Sequence, residues 1–248
     1  MGIEGSVALV TGASSGIGEG IARALAKSKV KVGLAARRLD RLNRLVKEIE
    51  AAGGEAMAIE LDVTDPKQNA AAVNALTTRY GSLDIAVLNA GLMPLSDIES
   101  LKTDEWSRMV DVNIKGLLNT AAAVLPKMMA AKRGHVFVMS SIAGRKVFKG
   151  LSVYCATKHA IAAFADGMRM ELAPKYNIRV TCVQPGAVAT ELYDHITDAG
   201  YRKQMDELAA TTVFLQPKDI AEAVVYAAGT APHIDVAELF IMPTSQGW

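Results

Sequence analysis

Tyr154 and Lys158 stand four residues apart in Tyr154-Cys155-Ala156-Thr157-Lys158, the spacing that puts two side chains on one face of a helix. A lysine ammonium beside a phenol favours the phenolate by charge, which lowers the phenol's pKa toward a range useful for moving protons. Upstream lies Ser140-Ser141-Ile142-Ala143-Gly144, at the carboxyl end of an apolar run. A serine there can hydrogen-bond a carbonyl or alcohol oxygen and hold it against the tyrosine. Taken alone, the Tyr-x-x-x-Lys pair is a weak pattern and Ser141 is a hydroxyl satisfied in its own turn. Together they suggest proton transfer to or from an oxygen.

A second group of residues could hold an anion. Val7-Ala8-Leu9-Val10 runs directly into Thr11-Gly12-Ala13-Ser14-Ser15-Gly16-Ile17-Gly18 and then into a helical pattern. Glycines allow a tight turn, close approach of backbone to phosphate, and close packing of helix on strand. A pyrophosphate would sit over the helix N-terminus, where unpaired N–H groups and the dipole favour negative charge. A glycine-rich turn can also merely reverse the chain, but here it closes the first strand and opens the first helix, as anion binding requires. No Gly-Lys-Ser/Thr follows, so the turn is not a nucleoside-triphosphate loop.

The next strand ends Ala35-Ala36-Arg37-Arg38. A site for NAD would place Asp or Glu near this strand end to accept from the ribose hydroxyls. Ala36 occupies that place, and a guanidinium after it can grip a 2′-phosphate with paired hydrogen bonds. The expected cofactor is therefore NADP(H), with Arg37 the first candidate and Arg38 the second. Arg41 and Arg44 are expected to be only a solvated basic helix face. Asp62, with Val63 beside it, ends the third strand. It can accept from an adenine amino group or serve as a loop or capping residue.

These residues need elements to position them. Seven short apolar runs predict strands at Val7–Val10, Val30–Ala35, Ala56–Leu61, Ile85–Asn89, His135–Ser140, Arg179–Val183 and Leu239–Met242. Their near-continuous hydrophobicity marks strands covered on both faces, as in parallel sheets. Helical patterns fall between them, at Gly16–Ser28, Leu39–Ala52, from Thr64-Asp65-Pro66, and at Asp104–Lys132, Ser152–Tyr176 and Lys218–Ala228. The alternation predicts an α/β fold, a doubly wound Rossmann-type domain spanning residues 1–248. Residues 187–216 lack a strand signal and predict a broken helical excursion near the carboxyl edge of the sheet, where such sheets bind ligands.

Taken in order, Thr11-Gly-Ala-Ser-Ser-Gly-Ile-Gly18, Asn89-Ala90-Gly91, Ser141, Tyr154-x-x-x-Lys158 and Pro185-Gly186 resemble the short-chain dehydrogenase/reductase family over essentially the whole chain. The resemblance implies one domain with a seven-stranded parallel sheet, a homotetramer or homodimer, and a catalytic tetrad. Asn113 would hold a water in a proton relay, and Ser141 would position the substrate oxygen. Tyr154 would act as acid and base, with Lys158 lowering its pKa and gripping the nicotinamide ribose. Asn89, Ala90 and Gly91 would line the cofactor cleft. Pro185 and Gly186 would pass the nicotinamide, with Val188 and Thr190 on its carboxamide and the phosphates. One departure stands out, since Leu88 replaces the first asparagine of the family's Asn-Asn-Ala-Gly, a residue associated with sheet support. Ala-Ala-Arg-Arg and the C-terminal tail resemble the bacterial NADP-dependent branch that includes clavulanic-acid-dehydrogenase-like reductases.

Composition narrows the classes. The formal net charge of the 248-residue chain is +1, so no global field recruits nucleic acid or an anionic membrane. No apolar run approaches the roughly 20 residues needed to span a bilayer, and the N-terminus has no secretory leader pattern, so a cytoplasmic protein is expected. Cys155 and Cys182, without paired spacing, are expected to be reduced, buried thiols, and no metal is expected. The predicted function is hydride transfer between a nicotinamide and a small carbonyl or alcohol substrate. A non-catalytic dinucleotide sensor on the same fold is the alternative, and a lyase or epimerase using the dinucleotide transiently is a third reading. Apolar wall candidates are Met93, Leu95, Ile142, Phe148, Leu151, Val153, Leu192, Tyr193 and Ile196. Arg145, Lys146 and His195 are possible polar contacts.

Overall fold

Strands form where the chain is apolar without interruption, because both faces of the sheet are covered. All five residues of β1 (Val7–Thr11) are buried. Alternate residues of β1 serve different cores: Ala8 and Val10 pack with α1 (Gly16–Lys27), α2 (Leu39–Ala51) and α8 (Pro217–Gly229), whereas Val7 and Leu9 pack with α3 (Pro66–Tyr80), α5 (Gly116–Ala131) and α6 (Ser152–Tyr176). This follows from the period of two along a strand. The computed structural model describes residues 2–247.

The remaining strands are β2 (Lys31–Ala36), β3 (Glu55–Glu60), β4 (Ile85–Leu88), β5 (Gly134–Met139), β6 (Ile178–Pro185) and β7 (Glu238–Ile241). They make one parallel seven-stranded sheet in the order β3-β2-β1-β4-β5-β6-β7. The fold is the expected α/β Rossmann-type domain. Strand order reverses between β1 and β4, and a crevice opens at the carboxyl ends of the strands on either side of such a switch.

Local chemistry explains the helix starts. Asp65 caps α3 by accepting from the N–H groups of Lys67 and Gln68, and Pro66 follows at the first helical position. The long helical pattern predicted over Asp104–Lys132 is not continuous. It runs as α4 (Thr103–Met109), a π-helical turn over Val110–Lys115, and α5. Such wide turns are rare and occur most often at functional sites. The excursion after β6 contains a 3₁₀ turn, Glu191–His195, and α7 (Ala199–Thr211). Leu88 is buried in the α3/α5/α6 core, so apolar packing fills the position where the family pattern has an asparagine. Among the described residues no helix is long and apolar enough to cross a membrane, and no group of three or more His, Cys, Asp or Glu could hold a metal. Both cysteines are free and buried.

Candidate active site

The turn between β1 and α1 adopts backbone conformations that favour glycine. Gly12 has φ +68° and Gly16 φ +56°, in the left-handed region. A Cβ at Gly18 would collide with the Gly12 carbonyl oxygen, and one at Gly16 would lie 3.1 Å from the Thr190 methyl. Gly18 therefore lets the helix close on the turn, and Gly16 lets Thr190 stand over the helix N-terminus. Gly12, Ser14, Ser15, Gly16 and Ile17 line a cavity of about 930 Å³, while Gly18 is buried behind it. This cradle of small residues at a helix N-terminus fits a dinucleotide pyrophosphate.

Asn89 ties the turn to β4. Its Nδ2 donates to the Thr11 carbonyl at 3.0 Å, its N–H donates to the Thr11 hydroxyl, and that hydroxyl donates to the Val87 carbonyl. These bonds cross the switch between β1 and β4. Asn89, Ala90 and Gly91 all reach the cavity wall.

The arginines divide differently from expectation. Arg37 lines the cavity and its charge acts on Asp62. Arg38 crosses the turn: Nη2 donates to the Ser14 and Ser15 hydroxyls at 2.9 and 2.7 Å, and Nη1 donates to Glu191 at 2.9 Å. Arg41 is not a merely solvated residue, because it lines the same cavity and pairs with Glu191. Arg44 does stay on the exposed face, beside Asp40. Asp62 lines the cavity and also serves its own loop, accepting from the Thr64 N–H and hydroxyl. Burial raises its carboxyl, but the Thr64 hydrogen bonds and the Arg37 charge outweigh that and hold it below the usual range. Val63 adjoins it on the wall.

At the other end of the cavity, Ser141, Tyr154 and Lys158 converge. Ser141 stands in extended conformation at the end of β5, and its oxygen accepts from the Ala143 N–H. Its hydroxyl stands beside the Tyr154 phenol and favours the phenolate. Lys158 lies one turn along α6 with its Nζ 5.6 Å from the Tyr154 ring centre, and it donates to the Met139 carbonyl at 2.8 Å. Burial decides both pKa values. It pushes the Tyr154 phenol above its ordinary value, against the pull of Ser141, and pushes Lys158 down to about 8. The expected lowering of the phenol by the lysine is thus outranked by desolvation, because both groups lose water and the ammonium is aimed at a carbonyl.

Asn113 sits in the π-helical turn, buried behind the wall. Its Oδ1 accepts from the Leu92 N–H at 2.9 Å, and its Nδ2 donates to the Leu92 carbonyl and the Thr157 hydroxyl. Thr157 in turn donates to the Tyr154 carbonyl. The side chain therefore braces the loop after β4 against the helix that carries Tyr154. This accounts for a buried asparagine inside a helical pattern.

Pro185, Gly186, Val188 and Thr190 all line the cavity where the chain leaves β6. Thr190 caps the following turn by accepting from the Leu192 N–H. Of the apolar wall candidates, Met93, Leu95, Ile142, Phe148, Leu151, Leu192 and Tyr193 reach the cavity, whereas Val153 and Ile196 pack in the cluster beside it. His195 reaches the cavity too, but Arg145 and Lys146 do not. Arg145 instead bonds Gln184 and Glu238. Sequence reasoning missed Glu191, the Met139 carbonyl, Thr157 and Ser140, whose hydroxyl donates to the Lys158 carbonyl. Only tertiary folding brings Glu191 to Arg41 and Ser140 to α6.

A family model described as short chain dehydrogenase matches residues 6–200. The chain belongs to the short-chain dehydrogenase family. It is 43% identical over 249 residues to an uncharacterised oxidoreductase of Listeria innocua, covering both chains completely. It is also 43% identical over 244 residues to part of a glycine betaine reductase of Emericella nidulans, covering 98% of this chain and 19% of that one. Among solved structures it resembles the closed form of a serine dehydrogenase complexed with NADP+, at TM-score 0.90 and 32% identity, covering 98% of this chain and 96% of the other. A gluconate 5-dehydrogenase of Burkholderia cenocepacia in complex with NADP and tartrate aligns at TM-score 0.86 and 27% identity, covering 97% and 95%. The short-chain dehydrogenase described here is accordingly an oxidoreductase, and its glycine turn and its Ser141/Tyr154/Lys158 group line one cavity.

Proposed function

We propose that this oxidoreductase transfers hydride between NADP(H) and a small carbonyl/alcohol pair, with Tyr154 exchanging the proton. The observation that carries the reading is one continuous cavity with the glycine turn and arginines at one end and Ser141, Tyr154 and Lys158 at the other. NADP(H) is favoured over NAD(H) because Ala36 leaves no carboxylate at the end of β2, while Arg37 and Arg38 face the cavity there. Two solved relatives were captured with NADP.

When bound, the nicotinamide supplies or accepts the hydride. In the reductive direction the buried Tyr154 phenol, held neutral by desolvation, donates its proton to the substrate oxygen. The Ser141 hydroxyl donates a hydrogen bond to the same oxygen and fixes it near the phenol. The Lys158 ammonium, anchored by the Met139 carbonyl, offsets the negative charge left on the phenolate. Asn113, through Thr157, ties the π-helical turn to α6, which carries both Tyr154 and Lys158. Around the proton donor, Met93, Leu95, Phe148 and Leu192 give a largely apolar pocket, which suits a neutral or amphiphilic carbonyl compound. The segment over residues 187–216 is the substrate loop in this reading. Exposed Leu118 and Met170 on α5 and α6 support self-association as a homodimer or homotetramer.

The test is NADPH oxidation against a panel of aldehydes, ketones and keto acids, with Tyr154→Phe as control. The variant should bind NADPH within about twofold of wild type yet lose at least a hundredfold in kcat, the scale of a removed proton donor. Turnover near wild type in Tyr154→Phe would remove that residue from the mechanism.

A further inference from the structure

The corner where β2 ends beside the glycine turn already contains an anion that belongs to the chain. Both oxygens of Glu191 lie against guanidinium groups: Arg41 Nη1 donates to Oε1 at 2.7 Å and to Oε2 at 2.8 Å, and Arg38 Nη1 donates to Oε2 at 2.9 Å. Arg38 reaches the Ser14 and Ser15 hydroxyls with its other nitrogens. Two guanidiniums converging on one anion, with the Ser14 and Ser15 hydroxyls holding Arg38 in place, make a donor set that recognises a phosphate monoester. Glu191 also begins the 3₁₀ turn of the segment over the cavity. That segment is fastened further along, where the Tyr201 hydroxyl donates to Asp97 at 2.7 Å, and Lys102 donates to the Thr197 hydroxyl, which donates to Glu105.

We propose that Glu191 is an intramolecular competitor for the cofactor's 2′-phosphate, taking the same Arg38 and Arg41 donors. The residue thereby sets how strongly the enzyme discriminates NADP(H) from NAD(H). It also couples arrival of a phosphorylated dinucleotide to release of residues 191–211 from the adenosine end of the cavity. This rests on the reading of the Arg37–Arg38 corner as the 2′-phosphate site. A 2′-phosphate carries more charge and more acceptor oxygens than a carboxylate, so it displaces Glu191, but it binds more weakly than it would to uncommitted arginines. A ribose without the phosphate makes no such exchange. The pairs are half-exposed, which limits the effect to a modest factor.

Calorimetric titration of wild type and Glu191→Gln with 2′,5′-ADP, 5′-AMP, NADP+ and NAD+ tests the idea. In Glu191→Gln, 2′,5′-ADP and NADP+ should bind about threefold to tenfold more tightly, with 5′-AMP and NAD+ unchanged. Hydrogen exchange over residues 191–211 should quicken in wild type on adding 2′,5′-ADP and should already be quick in unliganded Glu191→Gln. If wild type prefers 2′,5′-ADP to 5′-AMP but Glu191→Gln binds 2′,5′-ADP no more tightly, competition is overturned and the NADP reading stands. If wild type binds both equally, the NADP reading itself falls, and the inference with it.

Discussion

Lys158 is a buried ammonium whose partner in the structure is a neutral carbonyl, and this makes it costly to the fold. Its pKa falls from 10.5 to about 8. A depressed lysine is charged in both states below pH 8, where the full penalty of burial applies. The unfolded chain binds the extra proton between pH 8 and 10.5, so the penalty fades as pH rises through that window. At about 1.4 kcal/mol per unit the penalty is roughly 3 kcal/mol, less about 1 kcal/mol for the hydrogen bond to Met139. Lys158→Met should therefore be inactive and yet more stable at pH 7, by about 2 kcal/mol or roughly 4–8 °C in Tm. The gain should vanish near pH 10.5, and thermal melts at the two pH values would show it. A variant less stable than wild type at pH 7 would mean the ammonium is stabilised by something else. Arg37 offers a second test: Arg37→Ala should weaken NADPH at least tenfold and leave NADH nearly unchanged, since only the former carries the phosphate. Equal losses in fluorescence titrations would show that this side chain does not read it.

At the scale of elements, the segment after β6 is positioned by a glycine just ahead of α6. Gly150 has φ +76°, and a Cβ there would run into the Tyr201 ring, whose hydroxyl bonds Asp97. Gly150→Ala should push α7 off its seat, raising KM for the carbonyl substrate several-fold with a smaller change in kcat and faster hydrogen exchange in residues 199–211. An unaltered KM would indicate that the Tyr201 contact does not hold the segment. The same elements show what could be read in the chain beforehand. Strand runs, the glycine turn and the Tyr154/Lys158 face depend on local pattern, and the structure places them as expected. The π-helical turn escaped detection because its apolar spacing over Asp104–Lys132 is that of an ordinary helix; only buried Asn113 pointed to a break. Arg41 looked solvated because its partner, Glu191, lies 150 residues away. The direction of the Tyr154 shift escaped too, since adjacency of charges is visible in sequence and depth of burial is not.

The whole molecule carries a buried base that couples stability to acidity. His135, at the start of β5, has its Nε2 2.7 Å from the Thr181 hydroxyl, and its Nδ1 is buried without a hydrogen-bond partner. Burial, aided by Arg179, holds its pKa well below 6.5. The folded protein then stays neutral at this ring while the unfolded chain takes up a proton below pH 6.5, so stability falls with pH from that point downward. His135→Gln should reduce the acid-side slope of unfolding free energy by up to about 1.4 kcal/mol per pH unit. Denaturant melts between pH 4.5 and 7 would measure it, and an unchanged slope would exclude His135 as a source. Strand order has a further consequence, for synthesis. β1 pairs with β2 on one side, but its other neighbour, β4, begins only at Ile85. While the chain emerges from the ribosome, Val7–Thr11 is an apolar strand with one edge bare until some 75 more residues have been made. A flat apolar edge invites pairing with another nascent chain. The arrangement that places the phosphate turn at the centre of the sheet therefore leaves its first strand half-paired over the first third of synthesis.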